Sequence, residues 1–284
     1  MNDRRFTPLS REPYDFAGRQ SHVVLSVCIV THNEEANIAR TLDSVKGIAD
    51  ELIVVDSGST DKTVELARSR GAKVFIEEWR GFSKQKNAAM AKASGDWILS
   101  LDADEEVSPE LAASIQKLLK SGQPATEFDA YMMGRKNLYL NRWLKRSGYY
   151  PDRKLRLVRR GMGEFEDRAV HESMHSTGKI GRLEGDLIHH AYSTLESFID
   201  HANRYSSLGG EMEASERPTG FSFANIVLRP LVAFIYRYFF RLGFLDGREG
   251  LLVQMTHASY ISWKYAKAWE FSKKSRGGNS AGRL

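Results

Sequence analysis

The feature that most narrows the fold is a pattern that recurs three times before residue 107: a short apolar run ends abruptly in a polar cluster. "VVLSVCIV" (23–30) runs into "THNEE", "ELIVV" (51–55) into "DSGSTD", and "WILSL" (97–101) into "DADEE". Between these runs the period changes. In "EEANIARTLDSVKGI" the apolar residues Ile38, Leu42 and Val45 share one helical face. "KTVELARSRG" reads as a helix stopped by Gly71, "AKVFIEEW" as a further strand, and "SKQKNAAMAKASG" as a helix closed by Gly95. Strands alternating with helices in this way predict a mostly parallel sheet flanked by helices on both faces. In such sheets ligands bind beyond the carboxyl ends of the strands, where the loops gather. The polar clusters therefore bring Thr31, Asn33, Glu34, Asp56, Asp61, Asp102 and Asp104 to one rim.

Of the 284 residues 42% are hydrophobic and 27% charged, which supports one substantial core and excludes a disordered chain. Cys28 is the one cysteine, so no disulfide forms within the chain and a reducing compartment is expected. Set in an apolar run, it reads as a small core residue without a catalytic part. A net charge of +5 suits anionic partners such as nucleotide phosphates, acidic lipid or nucleic acid, and does not choose among them. The opening stretch "MNDRRFTPLSREPYDFAGRQ" is polar and holds no apolar core of signal-peptide length, so a cytoplasmic protein is expected. After Pro124 the composition turns aromatic and basic, with strand-like segments in "YYPDRKLRLVRRG" and "GKIGRLEGDLIHHAY". Residues 193–215 read as helix.

Asp102 and Asp104 raise the question of what neutralises them. Two carboxylates one residue apart at a strand end suit a hard divalent cation, Mg²⁺ or Mn²⁺, which commonly bridges nucleotide phosphates. The bland alternative is a solvated acidic turn, with Glu105 and Glu106 opening a helix at Pro109 where the helix dipole favours acids. Both readings can hold together.

"LSVCIVTHNEEANIARTLDSV", "ELIVVDSGSTDKTVELA" and "GDWILSLDADEE", in that order and spacing, resemble the family 2 glycosyltransferases with the GT-A fold. "VHESM", "DLIHHAYSTLESFIDHANRYSSL" and "GFLDGREGLL" resemble more narrowly the lipopolysaccharide-core glucosyltransferase branch, and the likeness runs from about residue 23 to 270. It implies an α/β, Rossmann-like GT-A sheet over 23–215, with a nucleotide-binding half (23–123) and an acceptor half (124–215). A tail (1–22) would precede it and amphipathic helices (216–284) follow.

The resemblance also implies roles. Thr31, Asn33, Glu34 and Asp56 would hold the base and ribose of a nucleotide. Against this, Asn33 reads equally as a helix cap and Asp56 as a turn former. Where the family carries an Arg-Asn pair near the donor, this chain has Lys86-Asn87, which keeps the charge without the bidentate fork. Asp104 maps to the metal ligand, Asp102 to ribose or metal, and His189 to a histidine that completes the metal shell. Inverting transfer needs a base on the acceptor hydroxyl. Glu172, beside His171, is the first choice and Asp167 the competitor.

Arg153, Arg156, Arg159 and Arg160 alternate, and an exposed strand face outweighs an acceptor-phosphate site as their explanation. No C-terminal stretch reaches the ~20 apolar residues of a membrane span. A helix bearing Arg229, Arg237 and Arg241 beside Phe234, Tyr238, Phe239 and Phe240 suits instead the headgroup interface, where arginines snorkel. The expected function is transfer of a sugar, glucose first, from a UDP-sugar to a membrane-associated saccharide such as an inner-core heptose, at the inner face of the cytoplasmic membrane. Another lipid-linked or surface polysaccharide is the alternative acceptor. A non-catalytic nucleotide- or nucleic-acid-binding module is the competing class, opposed by acids crowding the rim and by the lack of any nucleic-acid motif.

Overall fold

The computed structural model describes residues 23–120, 127–166, 173–217 and 220–278. Its first half is a run of four parallel strands, β1 (Leu25–Thr31), β2 (Glu51–Asp56), β3 (Lys73–Ile76) and β4 (Trp97–Asp102), in the order β3-β2-β1-β4. The two-residue alternation sorts their side chains. Leu25, Val27, Ile29, Leu99 and Leu101 pack on one face against α1 (Ile38–Val45), α2 (Thr63–Ser69) and α4 (Pro109–Lys120). Cys28, Ile53, Val55 and Ile98 pack on the other against Ala89 and Met90 of α3 (Phe82–Ala91). Ile38, Leu42 and Val45 are all buried, as their spacing predicts. Each such side chain withdrawn from water stabilises the fold by about 1.5–3 kcal/mol. Cys28 is one of these core residues: burial pushes its thiol up to about 12, and its Sγ–H donates to Ala89 O at 3.4 Å.

The second half is mixed. It comprises β5 (Glu105–Val107), β6 (Ala130–Tyr139), β7 (Arg142–Trp143), β8 (Asp152–Arg159) and β11 (Ile180–Tyr192), with the order continuing β4-β8-β6-β11-β5. β8 is antiparallel to both β4 and β6, and β5 is antiparallel to β11, while β6 and β11 run parallel. The parallel sheet expected from the alternation is thus confined to the four strands that carry it. β11 bulges between Arg182 and Asp186, where Gly185 has φ +89°; a Cβ there would lie 2.3 Å from Leu111 N of α4. β9 (Gly163–Phe165) and β10 (Met174–Ser176) form a separate antiparallel pair. Asn87 of α3 holds it by donating to Phe165 O (2.9 Å) and accepting from Phe165 N (2.8 Å).

A helical layer follows. α5 (Leu195–Glu216) begins at Thr194, whose hydroxyl accepts from Ser197 N at 3.1 Å. α7 (Gly247–Gly278) packs along it; Lys267 Nζ donates to Asn203 Oδ1 (2.7 Å) and to the Ser206 and Ser207 hydroxyls (2.8 and 2.9 Å). α6 (Arg229–Ile235) is prolonged at both ends by π-helical turns, Ala224–Leu228 and Tyr236–Phe240. One face of this helix is apolar and open, with Leu231, Val232, Tyr236, Phe239 and Phe240 all more than half exposed.

The expected distribution of its other residues needs correction. Arg237 does not reach outward: it donates to Ser147 O at 3.3 Å and its guanidinium lies 5.8 Å over the Tyr149 ring. Phe234 and Tyr238 stack on each other at 5.2 Å and are half-buried. Arg229 bonds the Tyr265 hydroxyl. Phe234, Arg237 and Tyr238 fall on the helix face turned toward the protein, whereas Arg229 and Arg241 are exposed, a division that the count of aromatics and arginines alone does not distinguish. Among the described residues no helix is long and apolar enough to cross a membrane.

Candidate active site

Beyond the carboxyl ends of β1, β2 and β4 lies a cleft of about 1080 Å³. Its strand-end side carries Thr31, Glu34, Lys86, Asp102, Asp104 and His189; its outer wall is the N-terminal half of α5. Six of the expected site residues, four of them from the rim, therefore share one cavity. Asp167 and Glu172, the expected bases, lie outside the described residues.

Asp102, the last residue of β4, is clamped between two cations. Its Oδ1 is 2.6 Å from Lys86 Nζ and its Oδ2 is 2.6 Å from Arg156 Nη2. Glu105 sits beneath it, fully buried; its Oε1 accepts from Arg135 (3.0 Å) and Arg156 (2.8 Å), and its Oε2 from the Asp102 N–H (3.1 Å). Arg135 continues the network to Asp152 at 2.8 Å. Burial works to raise both acids, but Arg156 and then Lys86 hold Asp102 well below the usual carboxylate range. Burial raises Glu105 too, and Arg156 and Arg135 overcome it, although Asp102 adds repulsion. The same partners keep the buried Arg156 charged.

Two expectations are corrected here. Glu105 and Glu106 do not open a helix: the chain reverses at Ala103–Asp104 and carries them into β5, which pairs with β11. Ser108 receives α4 instead, its Oγ accepting from Leu111 N at 3.2 Å. Glu106 meets His190 at 3.1 Å. Arg156 is not on an exposed strand face, because β8 lies inside the sheet between β4 and β6 and Arg156 points at Asp102.

Asp104 has a different environment. Its Oδ2 lies 3.1 Å from His189 Nε2, and His189 Nδ1 lies 2.7 Å from Asn137 Oδ1. The Asn137 amide nitrogen faces Asp152 Oδ2 (3.3 Å) and Tyr149 O (3.4 Å), which turns its oxygen to the imidazole. His189 therefore donates from Nδ1, and its Nε2 faces a carboxylate oxygen. Such a contact is favourable only with a proton or a cation between the two. An imidazole nitrogen and a carboxylate oxygen side by side fit Mg²⁺ or, more readily, Mn²⁺. Among the described residues no three His, Cys, Asp or Glu side chains form a ready-made cage. Asp102, with both oxygens on cations, is not free to be the third.

The remaining candidates divide. Thr31 is buried, and its Oγ1 has no hydrogen-bond partner among the described residues, an orphaned hydroxyl in a residue that lines the cleft. Glu34 is pushed above the usual range by burial first and by Asp104, Asp61 and Asp102, against the lowering effect of the Asn37 amide. Asp56 does not reach the cleft: fully buried, it accepts from Gly58 N (2.9 Å), Ser59 N (2.8 Å) and the Ser59 hydroxyl (2.5 Å), so it shapes its own turn. Asn33 caps no helix; at φ +54° it accepts from Thr60 N at 2.9 Å and ties the first loop to the second. Together they fix the loop that presents Ser57 to the cleft.

The outer wall went unread in the sequence. Asp200, His201, Arg204 and Tyr205 of α5 line the cleft, and His201 stacks on Tyr205 (4.0 Å) and packs against Tyr192 (5.1 Å). The available signal was the i, i+4 spacing of Asp200 with Arg204 and of His201 with Tyr205 on one side of a helix that follows the "DLIHHAY" strand.

A cleft at parallel-strand ends, floored by paired charges and edged by an open carboxylate–imidazole pair, accords with the sequence comparison. Residues 26–206 match the family described as glycosyl transferase family 2. The chain belongs to that family. This family 2 glycosyltransferase has the α/β GT-A fold, the sheet being mixed. It is 33% identical over 264 residues to an uncharacterized glycosyltransferase of Rickettsia typhi, covering 89% of each chain. To the lipopolysaccharide core biosynthesis glycosyltransferase LpsC of Rhizobium meliloti it is 30% identical over 260 residues, 87% of this chain and 92% of that one. Among solved structures it is similar to glucosyl-3-phosphoglycerate synthase from Mycobacterium tuberculosis in complex with Mn²⁺, UDP and glucosyl-3-phosphoglycerate. That likeness is 26% identity over 42% of this chain and 45% of the other, with a TM-score of 0.34.

Proposed function

We propose that this glycosyltransferase is metal-dependent and inverting, and that it moves a sugar, glucose first, from a UDP donor to a membrane-associated saccharide such as the heptose of a lipopolysaccharide inner core. The observation that carries the reading is the Asp104–His189 contact, which asks for a positive charge at the mouth of a cleft whose other strand-end aspartate, Asp102, is already paired with Lys86 and Arg156. Thr31, with its unpartnered hydroxyl, and Glu34 would receive the base or ribose, helped by Asn33 and Asp56 through the loop they shape. Asp102, fixed by Lys86 and Arg156, would accept from a ribose hydroxyl. Asp104 and His189 would hold Mg²⁺ or Mn²⁺, which supplies Lewis-acid stabilisation of the departing diphosphate. Glu172 is the favoured base, with Asp167 in competition. The acceptor class is supported by the similarity to LpsC, a protein named for lipopolysaccharide core biosynthesis.

The open apolar face of α6 and its flanking turns supports peripheral contact with the inner face of the cytoplasmic membrane, bringing the cleft to a lipid-linked acceptor. Here apolar residues would make the contact, with the exposed Arg229 and Arg241 beside them and Arg237 turned inward.

The test is UDP release from UDP-glucose over a lipid-saccharide extract, with Mn²⁺ or with EDTA. Turnover should require the metal; protein that binds no UDP in Mn²⁺ refutes the reading. Glu172→Gln should keep UDP affinity and lose turnover, and near-normal turnover moves the base to Asp167. Phe240→Glu with Leu231→Glu should release the protein from anionic vesicles. Unchanged co-sedimentation, or loss of a dimer instead, assigns that face to another partner.

A further inference from the structure

One charge in the cleft is left unbalanced by its surroundings. Lys86 faces Asp102 at 2.6 Å, and Arg135 is held by Glu105 and Asp152 at 3.0 and 2.8 Å. Arg204 of α5 lines the same cleft, is exposed, and makes no ion pair among the described residues. Its guanidinium lies 5.7 Å over the Tyr205 ring. Asp200, one turn earlier on the same helix, also lines the cleft but is not within ion-pair distance. The helix face that bears Arg204 is stiffened by the Tyr192–His201–Tyr205 stack. Its charge is felt by its neighbours on that wall: burial first and Arg204 second hold His201 at about 4, and Arg204 opposes the rise that burial imposes on Tyr192.

We infer that Arg204 binds the phosphate oxygens of the leaving diphosphate, from the helix wall of the cleft whose strand-end side carries Asp104 and His189. This rests on the nucleotide-sugar reading above. When the acceptor oxygen bonds to the sugar's anomeric carbon, the bond from that carbon to the β-phosphate oxygen breaks and its electron pair stays on the diphosphate. The acceptor's proton passes to the base. The diphosphate therefore gains a negative charge during the step, and a guanidinium already in place, with its fork of N–H donors, stabilises that charge more than the ground state. The paired cations at the floor are unsuited to this, since each would have to leave a carboxylate that it already neutralises.

The experiment is calorimetric titration of the full chain with UDP and with uridine in Mn²⁺, alongside donor turnover, for wild type, Arg204→Gln and Arg204→Lys. Arg204→Gln should weaken UDP by roughly 10- to 100-fold and lower kcat at least as much, leave uridine binding and the melting midpoint unchanged, and be partly rescued by Arg204→Lys. Unchanged UDP affinity and kcat in Arg204→Gln overturns the inference while leaving the donor reading intact. An equal loss for uridine and UDP overturns it by exposing a merely structural role. A rise in acceptor KM alone, absent with a dephosphorylated acceptor, overturns it in favour of an acceptor phosphate. Wild-type protein that binds no UDP removes the donor reading and this inference together.

Discussion

Asp102 and Asp104 are separated by one alanine and belong to two different electrostatic regions. Around Asp102 the charges are matched: Lys86, Arg156, Glu105, Arg135 and Asp152 form one continuous network along the floor of the cleft, with Glu105 and Arg156 removed from solvent. Around Asp104 the charges are open: one imidazole, itself pinned by Asn137, shares the mouth with it. The contrast teaches that acidity in a sequence does not by itself mark a cation site. What marks it is an acid left over after the protein's own cations have been assigned. The first region has its counter-charges built in and holds the rim in shape; the second leaves room for a cation from outside.

Substitutions should separate the two regions by what they destroy. Asp104→Asn should lower metal-dependent turnover by about 10³-fold, the scale of losing a main stabiliser of developing charge, with the urea midpoint unmoved. Asp102→Asn should lower turnover and stability together, since Lys86 and Arg156 would face a neutral amide. If Asp104→Asn also unfolds the protein early, the division between a structural and a ligand-facing acid fails.

Next in size is Glu105→Gln. Glu105 is fully buried and each of its oxygens is engaged, so the substitution strands Arg135 and Arg156 without their common counter-charge. Breaking a buried pair from one side costs about 3–5 kcal/mol, to be read from urea unfolding with the m-value checked for constancy. A loss below about 1 kcal/mol, the range of surface pairs, would mean that water already screens the network.

How much of this was legible in the sequence follows from the range of the forces involved. The parallel half was legible because Ile38, Leu42 and Val45 and the alternating residues of β1 and β4 follow local periods that burial on both faces imposes. Asp104 and His189 were legible as strand-end residues, one reached by the strand-end rule and the other by resemblance. Glu105 was not, because the reversal at Ala103–Asp104 and a three-residue strand leave no period to read. Nor was Arg156: it is one of four arginines in "RKLRLVRR", and what singles it out is Asp102, 54 residues away. The open face of α6 was foreseen as amphipathic but with Arg237 on the wrong side, because the Ser147 and Tyr149 contacts that draw it inward are also distant in sequence.

The smallest effect belongs to the edge of the matched region, and it tests whether the matching is graded. Asp152 is about one-quarter exposed and is held by Arg135 (2.8 Å), Lys154 (3.2 Å) and the Asn137 amide (3.3 Å). Burial raises it, and Arg135 and then Lys154 bring it below its ordinary 3.8. Like Asp102 and Glu105, it stays ionised in the folded chain at a pH where the unfolded chain has taken up a proton. The unfolded state then binds more protons, so stability is present above the unfolded values of 3.8–4.5 and declines as pH falls below them. Asp152→Asn removes one contributor, and solvent screening at this edge limits the loss near neutrality to about 1 kcal/mol. Urea midpoints measured from pH 7 to pH 3 should therefore fall less steeply in the variant than in wild type. Parallel curves would show that Asp152 adds nothing to the acid sensitivity, and that the network ends at Arg135.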